Sequence, residues 1–145
     1  MKNSYEINEG TLAIVPNKEN SKIYEDNDIY SVKQNCYQIM CKYFGSSYEG
    51  RSDGAKSISG MSYKVPIMVS ENLIFFPTSS PLDDDCSWIN FEKVEDLEKM
   101  NYNQTKIIFN NGVNIVVPFS YRTIENQLLR SIKLNFIMNK RYGEK

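Results

Sequence analysis

The 145-residue sequence contains no histidine. Histidine is the commonest general base near neutral pH and the commonest nitrogen ligand of zinc, so neither a Ser-His-Asp triad nor a Cys-His pair can form within this chain. Cysteine is scarce as well: Cys36, Cys41 and Cys86 are an odd set without CxxC spacing. Such cysteines are typical of reduced cytosolic thiols. We therefore expect a cytoplasmic protein that is not an enzyme and holds no metal or cofactor.

Long apolar runs are also lacking. No stretch approaches the length of a membrane span, and the first residues, MKNSYEINEGTLAIVP, contain no continuous apolar segment of the secretory type. We expect no transmembrane helix, no secretory signal and no membrane partner. What is present, 41% hydrophobic and 24% charged residues, is the balance of an ordinary globular protein, and the length suits a single domain over residues 1–145.

Charges are unevenly distributed, although their totals nearly cancel at a net charge of −1. Residues 33–64 carry five Lys/Arg against two Asp/Glu, and residues 128–145 carry five against one. The remaining stretches, 1–32 and 65–127, are acidic, with six and nine Asp/Glu against three and four Lys/Arg. Two basic blocks that alternate with two acidic ones predict a polarised surface, which either binds an anionic partner or is simply solvated.

Alternating apolar residues bounded by turn residues predict short strands. Asn110-Asn111-Gly112 is the clearest hairpin signal, because glycine tolerates the positive φ of such turns, and Glu9-Gly10 and Asp26-Asn27 predict two more. Proline cannot donate to a ladder, so Pro16 predicts the end of a strand. Asp83–Asp85 predicts a solvated turn. The predicted strands are Tyr5–Asn8, Thr11–Val15, Lys22–Glu25, Asp28–Val32, Ile67–Val69, Leu73–Phe76, Ser87–Phe91, Thr105–Phe109 and Val113–Val117, and we expect their aromatic residues Phe75, Phe76, Trp88 and Phe91 in the core.

An early amphipathic helix is predicted where apolar residues recur at helical spacing. Ser31 and Gln34 fit a capping box at its start, and Gly45 fits a left-handed cap at its end. The apolar side of this helix is predicted to consist of Val32, Cys36, Ile39, Met40 and Tyr43.

A second helix of about eighteen residues, starting near Ser120, is predicted in the last part of the chain. Its apolar and basic residues separate onto nearly opposite sides. Ile137 falls inside the basic side and Leu134 lies near its edge, and these apolar residues indicate a partner surface there. The predicted apolar side is Tyr121, Ile124, Leu128, Ile132 and Phe136, and the predicted basic side is Arg130, Lys133, Lys140 and Arg141.

Together these elements predict an α+β fold: mainly an antiparallel sheet, with one early helix and a long C-terminal helix packed across the sheet. The second half, strands and a hairpin followed by one amphipathic helix, is similar to a pleckstrin-homology half-barrel. Because fold does not determine function, that similarity concerns architecture only.

Between the early helix and the later strands, residues 45–64 contain four glycines and six serines and little apolar periodicity. Long irregular segments are uncommon in compact domains and are usually functional or disordered. The segment at Cys41–Arg51, CKYFGSSYEGR, resembles the competence transcription factor (ComK) family. The resemblance continues in family order through VPIMV (Val65–Val69), IFFPTSS (Ile74–Ser80), CSWI (Cys86–Ile89), NNG and SYRTIENQLLR (Ser120–Arg130).

This resemblance implies a transcriptional activator of competence (DNA-uptake) genes that binds AT-rich double-stranded DNA through the minor groove. It also implies a homo-oligomer on DNA, contact with RNA polymerase, and control by an adaptor of a Clp protease. Longer members of the family continue past the position of Lys145. Asp53 stands where the family tends to be basic, which we expect to weaken phosphate affinity.

Given this resemblance, Arg51 is the candidate for contact with the minor groove, because a guanidinium suits a narrow electronegative groove. Lys42, Lys56 and Lys64 are candidates for phosphate contacts, with Lys133 and Lys140 on the last helix. The remaining candidates are Ser46 and Ser47, for phosphate oxygens, and Tyr48, for stacking. A pleckstrin-homology-like module for a protein or anionic lipid is the alternative, since the basic blocks suit either ligand.

Overall fold

The structure is a computed structural model that describes residues 1–44 and 64–143. Within this part of the chain, strands and helices form in an order that confirms the predicted α+β class. The helices are α1 (Cys36–Phe44) and α2 (Tyr121–Gly143), and the strands are β1 (Thr11–Asn17), β2 (Asn20–Glu25), β3 (Ile29–Val32), β4 (Ile67–Ser70), β5 (Leu73–Pro77), β6 (Trp88–Asn90), β7 (Val94–Asn101), β8 (Gln104–Phe109) and β9 (Asn114–Val117).

The strands make two antiparallel sheets. The larger, which we call the central sheet, has the order β3-β2-β1-β6-β5-β4, and the smaller has the order β7-β8-β9. A short 3-10 turn (Phe91–Lys93) joins β6 to β7 and so leads the chain from one sheet to the other. β7 was absent from the predicted strands because only Leu97 of its eight residues is buried, which leaves little apolar alternation to detect.

Both faces of the central sheet are covered. Successive side chains of a strand point to opposite faces, and accordingly Phe75 and Trp88 join one core cluster while Phe76 and Ile89 join another. Helix α1 packs on the first face, and the smaller sheet and α2 pack on the second. Phe75, Phe76 and Trp88 are fully buried, as predicted, whereas Phe91 is half-buried at the start of the 3-10 turn.

Two of the three predicted hairpins are confirmed. β2 and β3 pair across the Asp26-Asn27 turn, and β8 and β9 pair across Asn110-Asn111-Gly112, where Gly112 adopts a φ of 90°. The hairpin at Glu9-Gly10 is wrong, because Tyr5–Asn8 forms no strand. There the Asn8 carboxamide oxygen accepts a hydrogen bond from the Gly10 amide at 2.8 Å, which stabilises a local turn.

The prediction that Pro16 ends a strand is also wrong. β1 continues to Asn17, and Pro16 lies opposite Ser21 of β2. On the other side of β1, β6 pairs only with Ala13 and Ile14, so Pro16 has a neighbouring strand on one side only. A missing amide donor is tolerated at such a position, as it is on an edge strand.

The capping box of α1 lies four residues after the predicted one. Ser31 belongs to β3, and the helix is capped by Asn35, whose carboxamide oxygen accepts from the Gln38 amide at 2.8 Å. Gln38 returns the interaction by accepting from the Asn35 amide at 2.9 Å. Gln34, the predicted partner of Ser31, instead accepts from the Tyr5 amide at 3.1 Å and holds the N-terminal segment.

The predicted apolar side of α2 is right at its start and wrong beyond Leu128. Ile124 is buried and Leu128 is half-buried, but Ile132 and Phe136 are 46% and 66% exposed. The side that packs against the sheets carries Ile124, Gln127, Ser131 and Met138. Leu134, predicted at a partner surface, packs with Met68, Ile74 and Met138 in the core. The spacing of apolar residues alone predicted the wrong rotation of α2 about its axis, because two of its buried residues, Gln127 and Ser131, are polar.

A polar cluster lies at the end of the β1–β2 pair that is opposite the turn joining the two strands. The carboxylate of Glu25 accepts hydrogen bonds from the hydroxyls of Tyr5 and Tyr30 and from the Asn8 carboxamide. Burial raises the pKa of Glu25, but these donors outweigh burial and the pKa is lowered overall. Burial, and then the hydrogen bond to Glu25, raises the pKa of Tyr30 to about 12. The cluster is therefore most stable with an ionised Glu25 and neutral tyrosines.

We expect Trp88→Ala to lower the free energy of unfolding by about 3–5 kcal/mol, because it empties a fully buried site. Trp88→Phe should cost only about 1–2 kcal/mol. The indole nitrogen has no hydrogen-bond partner in the described part of the chain, so its removal leaves no acceptor unpaired there. Urea denaturation measures both. Equal losses for the two variants would contradict a packing role.

Glu25→Gln should lower stability by about 1–2 kcal/mol near neutral pH, since the hydrogen bonds to a charged acceptor are lost. The lowered pKa means that the ionised carboxylate stabilises the fold above its unfolded value of about 4.3 and progressively less as pH falls below it. The stability gap to wild type should therefore narrow as pH is lowered from about 6 to 3 in urea titrations. Glu9→Gln, an exposed carboxylate outside the cluster, should show no such gap. A gap that widens on acidification would refute this assignment.

Candidate nucleic-acid interface

Five of the predicted DNA-binding residues, Ser46, Ser47, Tyr48, Arg51 and Lys56, lie outside the described residues, as does the predicted cap Gly45. The structure places the other four: Lys42 on α1, Lys64 before β4, and Lys133 and Lys140 on α2. It also places the two residues, Phe44 and Lys64, that flank the segment 45–63.

The N-terminal side of this segment is fixed in the core. Phe44 is buried at the end of α1, with its ring 5.9 Å from that of Trp88 and 5.6 Å from that of Tyr37. Phe44, the last residue of α1, belongs to the core cluster on the first face of the central sheet. The position at which the chain leaves α1 is therefore set by aromatic packing.

The C-terminal side is held by polar contacts from α2. Gln127 is buried, and its carboxamide nitrogen donates to the Lys64 carbonyl at 3.0 Å and to the Pro77 carbonyl at 2.7 Å. The Arg130 guanidinium donates to the same Lys64 carbonyl at 3.1 Å and to the Gln127 carboxamide oxygen at 3.2 Å. We call this set the Gln127 tether. It joins the last helix to the residue at which the segment 45–63 returns to the fold.

Phe44 and Lys64, the residues on either side of the segment 45–63, lie near one edge of the central sheet. β4 is the edge strand, α1 packs against it, and Lys64 lies three residues before its start. The tether brings Arg130 to the same edge, since its guanidinium reaches the Lys64 backbone. The segment with the family-like motif thus begins and ends beside described cationic residues.

Lys42 differs from the other described candidates because it has partners. Its ammonium lies 3.4 Å from a Glu6 carboxylate oxygen and 5.4 Å from the ring centroid of Tyr43. The Lys42 and Glu6 side chains are 47% and 85% exposed, so this ion pair is a weak surface contact. A phosphate would have to compete with Glu6 for Lys42.

Lys133 and Lys140 are exposed and lie on the side of α2 that faces away from both sheets. At 100° per residue they fall within about 60° of Leu129 and Phe136, which are 54% and 66% exposed. Ile132 and Ile137 are exposed on either flank of the same side. The predicted basic side therefore also carries most of the exposed apolar residues of the helix.

Sequence reasoning did not select Gln127, and placed Arg130 on the basic side without a specific role. The available signal was a glutamine inside the apolar spacing of Ile124 and Leu128. A buried glutamine must be hydrogen-bonded, which points to carbonyl partners within reach.

Two of the three cysteines, Cys36 and Cys86, are buried. Burial raises the pKa of the Cys36 thiol to about 12 and of the Cys86 thiol to about 11, so both stay protonated near neutral pH. Among residues 1–44 and 64–143 no three acidic or cysteine side chains are arranged to hold a metal ion. In the same residues no helix has the length and apolar character needed to span a membrane.

We expect Gln127→Leu to lower the free energy of unfolding by about 1–3 kcal/mol, because the buried Pro77 carbonyl loses its donor. Asn126→Leu, at the neighbouring exposed position, should stay within about 0.5 kcal/mol of wild type. Urea denaturation of both variants measures the difference. A Gln127→Leu protein as stable as Asn126→Leu would contradict the tether.

Comparisons with known proteins give one consistent result. The family model described as ComK protein matches residues 2–143. The competence transcription factor of Bacillus subtilis (strain 168) is 36% identical, in a match covering 88% of this chain and 71% of the relative. No solved structure matches. The extent of the family match and the identity to this relative establish that the chain belongs to the ComK family.

Proposed function

We propose that the protein is a transcription factor that activates competence genes by binding AT-rich duplex DNA through the minor groove. The observation that carries the proposal is the family match over residues 2–143, together with 36% identity to a competence transcription factor. On this proposal it is a DNA-binding protein of the cytoplasm, not an enzyme, and DNA is its principal ligand.

The site we propose is centred on the segment 45–63, with Arg51 entering the groove and Lys56 contacting phosphate. Support comes from both ends of the segment. Lys64 and Arg130 lie at the edge of the central sheet where the segment returns, and Lys42 is on the helix from which it departs. Cationic side chains around a groove-reading arginine suit a duplex, because phosphates carry the affinity and base edges carry the specificity.

The described residues on either side of the segment 45–63 support this role. Binding loops are effective when a rigid scaffold fixes their ends. Here Phe44 is held by aromatic packing and Lys64 by the Gln127 tether. Ser46, Ser47 and Tyr48 lie two to four residues after Phe44 in the sequence. This favours their use next to the anchored end, for phosphate oxygens and for stacking.

Further partners belong to the same proposal. An activator of this kind assembles as a homo-oligomer on DNA and contacts RNA polymerase, and an adaptor of a Clp protease limits its amount. The exposed basic and apolar side of α2, with Lys133 and Lys140, is the described surface most suited to contacts of this sort.

Arg51→Ala should weaken binding to AT-rich duplex and reduce discrimination against GC-rich duplex, because a groove contact carries sequence information. Lys56→Ala should weaken binding to both duplexes alike and reduce the salt slope by about one unit. Gel-shift titrations over a salt series, with Lys99→Ala as an exposed control far along the chain on β7, measure these effects.

If Arg51→Ala and Lys56→Ala bind like Lys99→Ala, the segment is not the DNA surface. Wild-type protein that binds anionic vesicles and leaves AT-rich duplex unbound at low salt would replace the proposal with a lipid-binding module of the pleckstrin-homology kind.

A further inference from the structure

The outward side of α2 combines cations and apolar side chains without a covering element. Leu129, Ile132 and Phe136 are 54%, 46% and 66% exposed and follow one another at spacings of three and four residues, which makes a continuous apolar strip along the helix. Lys133 and Lys140 border the strip, and neither forms an ion pair with a described carboxylate. A surface that only neutralises phosphate needs the cations but not the apolar strip, so this side is better suited to a protein.

A cavity with the opposite charge lies elsewhere on the molecule. It has a volume of about 500 Å³ and is formed where the β1–β2 turn, the start of α1 and the loop before β6 come together. Four carboxylates line it against a single lysine, and Leu82, 61% exposed, lies among them with two prolines and a tyrosine.

Of the three aspartates in this cavity, only Asp83 has a side-chain hydrogen bond with another described residue. Asp83 accepts from the Asp85 amide at 3.0 Å and so shapes the loop. The carboxylates of Asp84 and Asp85 make no ion pair with a described lysine or arginine. The protein therefore exposes a convex basic and apolar helix and a concave acidic and partly apolar cavity, each with unpaired charge.

The two surfaces lie on opposite faces of the central sheet. Cys36 and Cys86 line the cavity and belong to the core cluster on the α1 face. Helix α2 packs on the other face, through Ile124 and Met138. A molecule therefore cannot insert its own α2 into its own cavity, and any contact between the two surfaces joins separate molecules.

We propose that the outward side of α2 of one molecule docks into the acidic cavity of a second copy of this chain. Charge favours this docking over a symmetric pairing of two α2 helices. Symmetric pairing brings like-charged lysines together, whereas docking in the cavity brings Lys133 and Lys140 to Asp84 and Asp85. The contact is head-to-tail, so each molecule keeps one free surface of each kind and chains of molecules can extend. The inference rests on the oligomer of the proposed function and specifies its interface.

The test measures self-association without DNA, so its outcome does not depend on DNA binding. Nuclease-treated full-length protein is sedimented over a concentration series at about 50 mM and about 500 mM salt. Wild type should show an average mass that rises with concentration and falls with salt. The helix variant Lys133→Glu/Lys140→Glu and the cavity variant Asp84→Lys/Asp85→Lys should each weaken association at least about tenfold at low salt.

Mixing the two variants provides the decisive comparison. Each variant then meets a partner of complementary charge, so the mixture should recover a mass that neither variant reaches alone. Lys99→Glu and Glu95→Lys, exposed charge reversals on β7 outside both surfaces, are the matched controls and should associate like wild type. Phe136→Ala, which changes no charge, should also weaken association. Melting curves confirm that each variant is folded.

Wild type that stays monomeric throughout the series overturns the proposal. A cavity variant that associates like wild type also overturns the proposal. If only the helix variant is impaired, the α2 helices of two molecules pair with each other instead. Gel shifts on the same proteins separate this inference from the proposed function. Loss of DNA binding by the helix variant with normal self-association would make α2 a phosphate surface and would also overturn the docking.

Discussion

Both faces of the central sheet contribute to a hydrophobic core, and most other features of the molecule depend on this. Since neighbouring residues of a strand point to opposite faces, Phe75 and Phe76 must each find a separate core, and Trp88 and Ile89 repeat the arrangement on the next strand. One face is covered by α1, and the other by the smaller sheet with α2. Covering both faces at once puts α1 and the acidic cavity on one side of the sheet and the basic helix α2 on the other.

Helix α2 meets this constraint with a side that is only partly apolar. Gln127 and Ser131 are buried beside Ile124 and Met138, and the Gln127 carboxamide nitrogen donates to the backbone carbonyls of Lys64 and Pro77. The buried polar residues allow the helix both to cover the second face and to hold the chain at Lys64. The same arrangement turns Leu129, Ile132 and Phe136 outward, so the apolar strip on the surface is a consequence of using polar residues inside.

The sequence predicted the fold well where local chemistry decides the structure. Asn110-Asn111-Gly112 and Asp26-Asn27 impose tight turns, and the hairpins around them were placed correctly. Where tertiary contacts decide, the prediction was wrong. The rotation of α2 about its axis follows the carbonyls supplied by Lys64 and Pro77, and Pro16 is tolerated because β6 begins only at Trp88. The motif around Gly45 indicated the family, but no local pattern indicated that Arg130 would meet Lys64 across the fold.

Apart from the contact between its own two side chains, the Gln127 tether binds only backbone carbonyls. Its acceptors are the carbonyl oxygens of Lys64 and Pro77, groups that every amino acid supplies. Substitutions at residue 64, or within the segment that precedes it, leave these acceptors in place. The attachment is therefore indifferent to the sequence it holds, which leaves that segment free to diverge, or to be replaced by design, while the helix and its point of attachment remain the same.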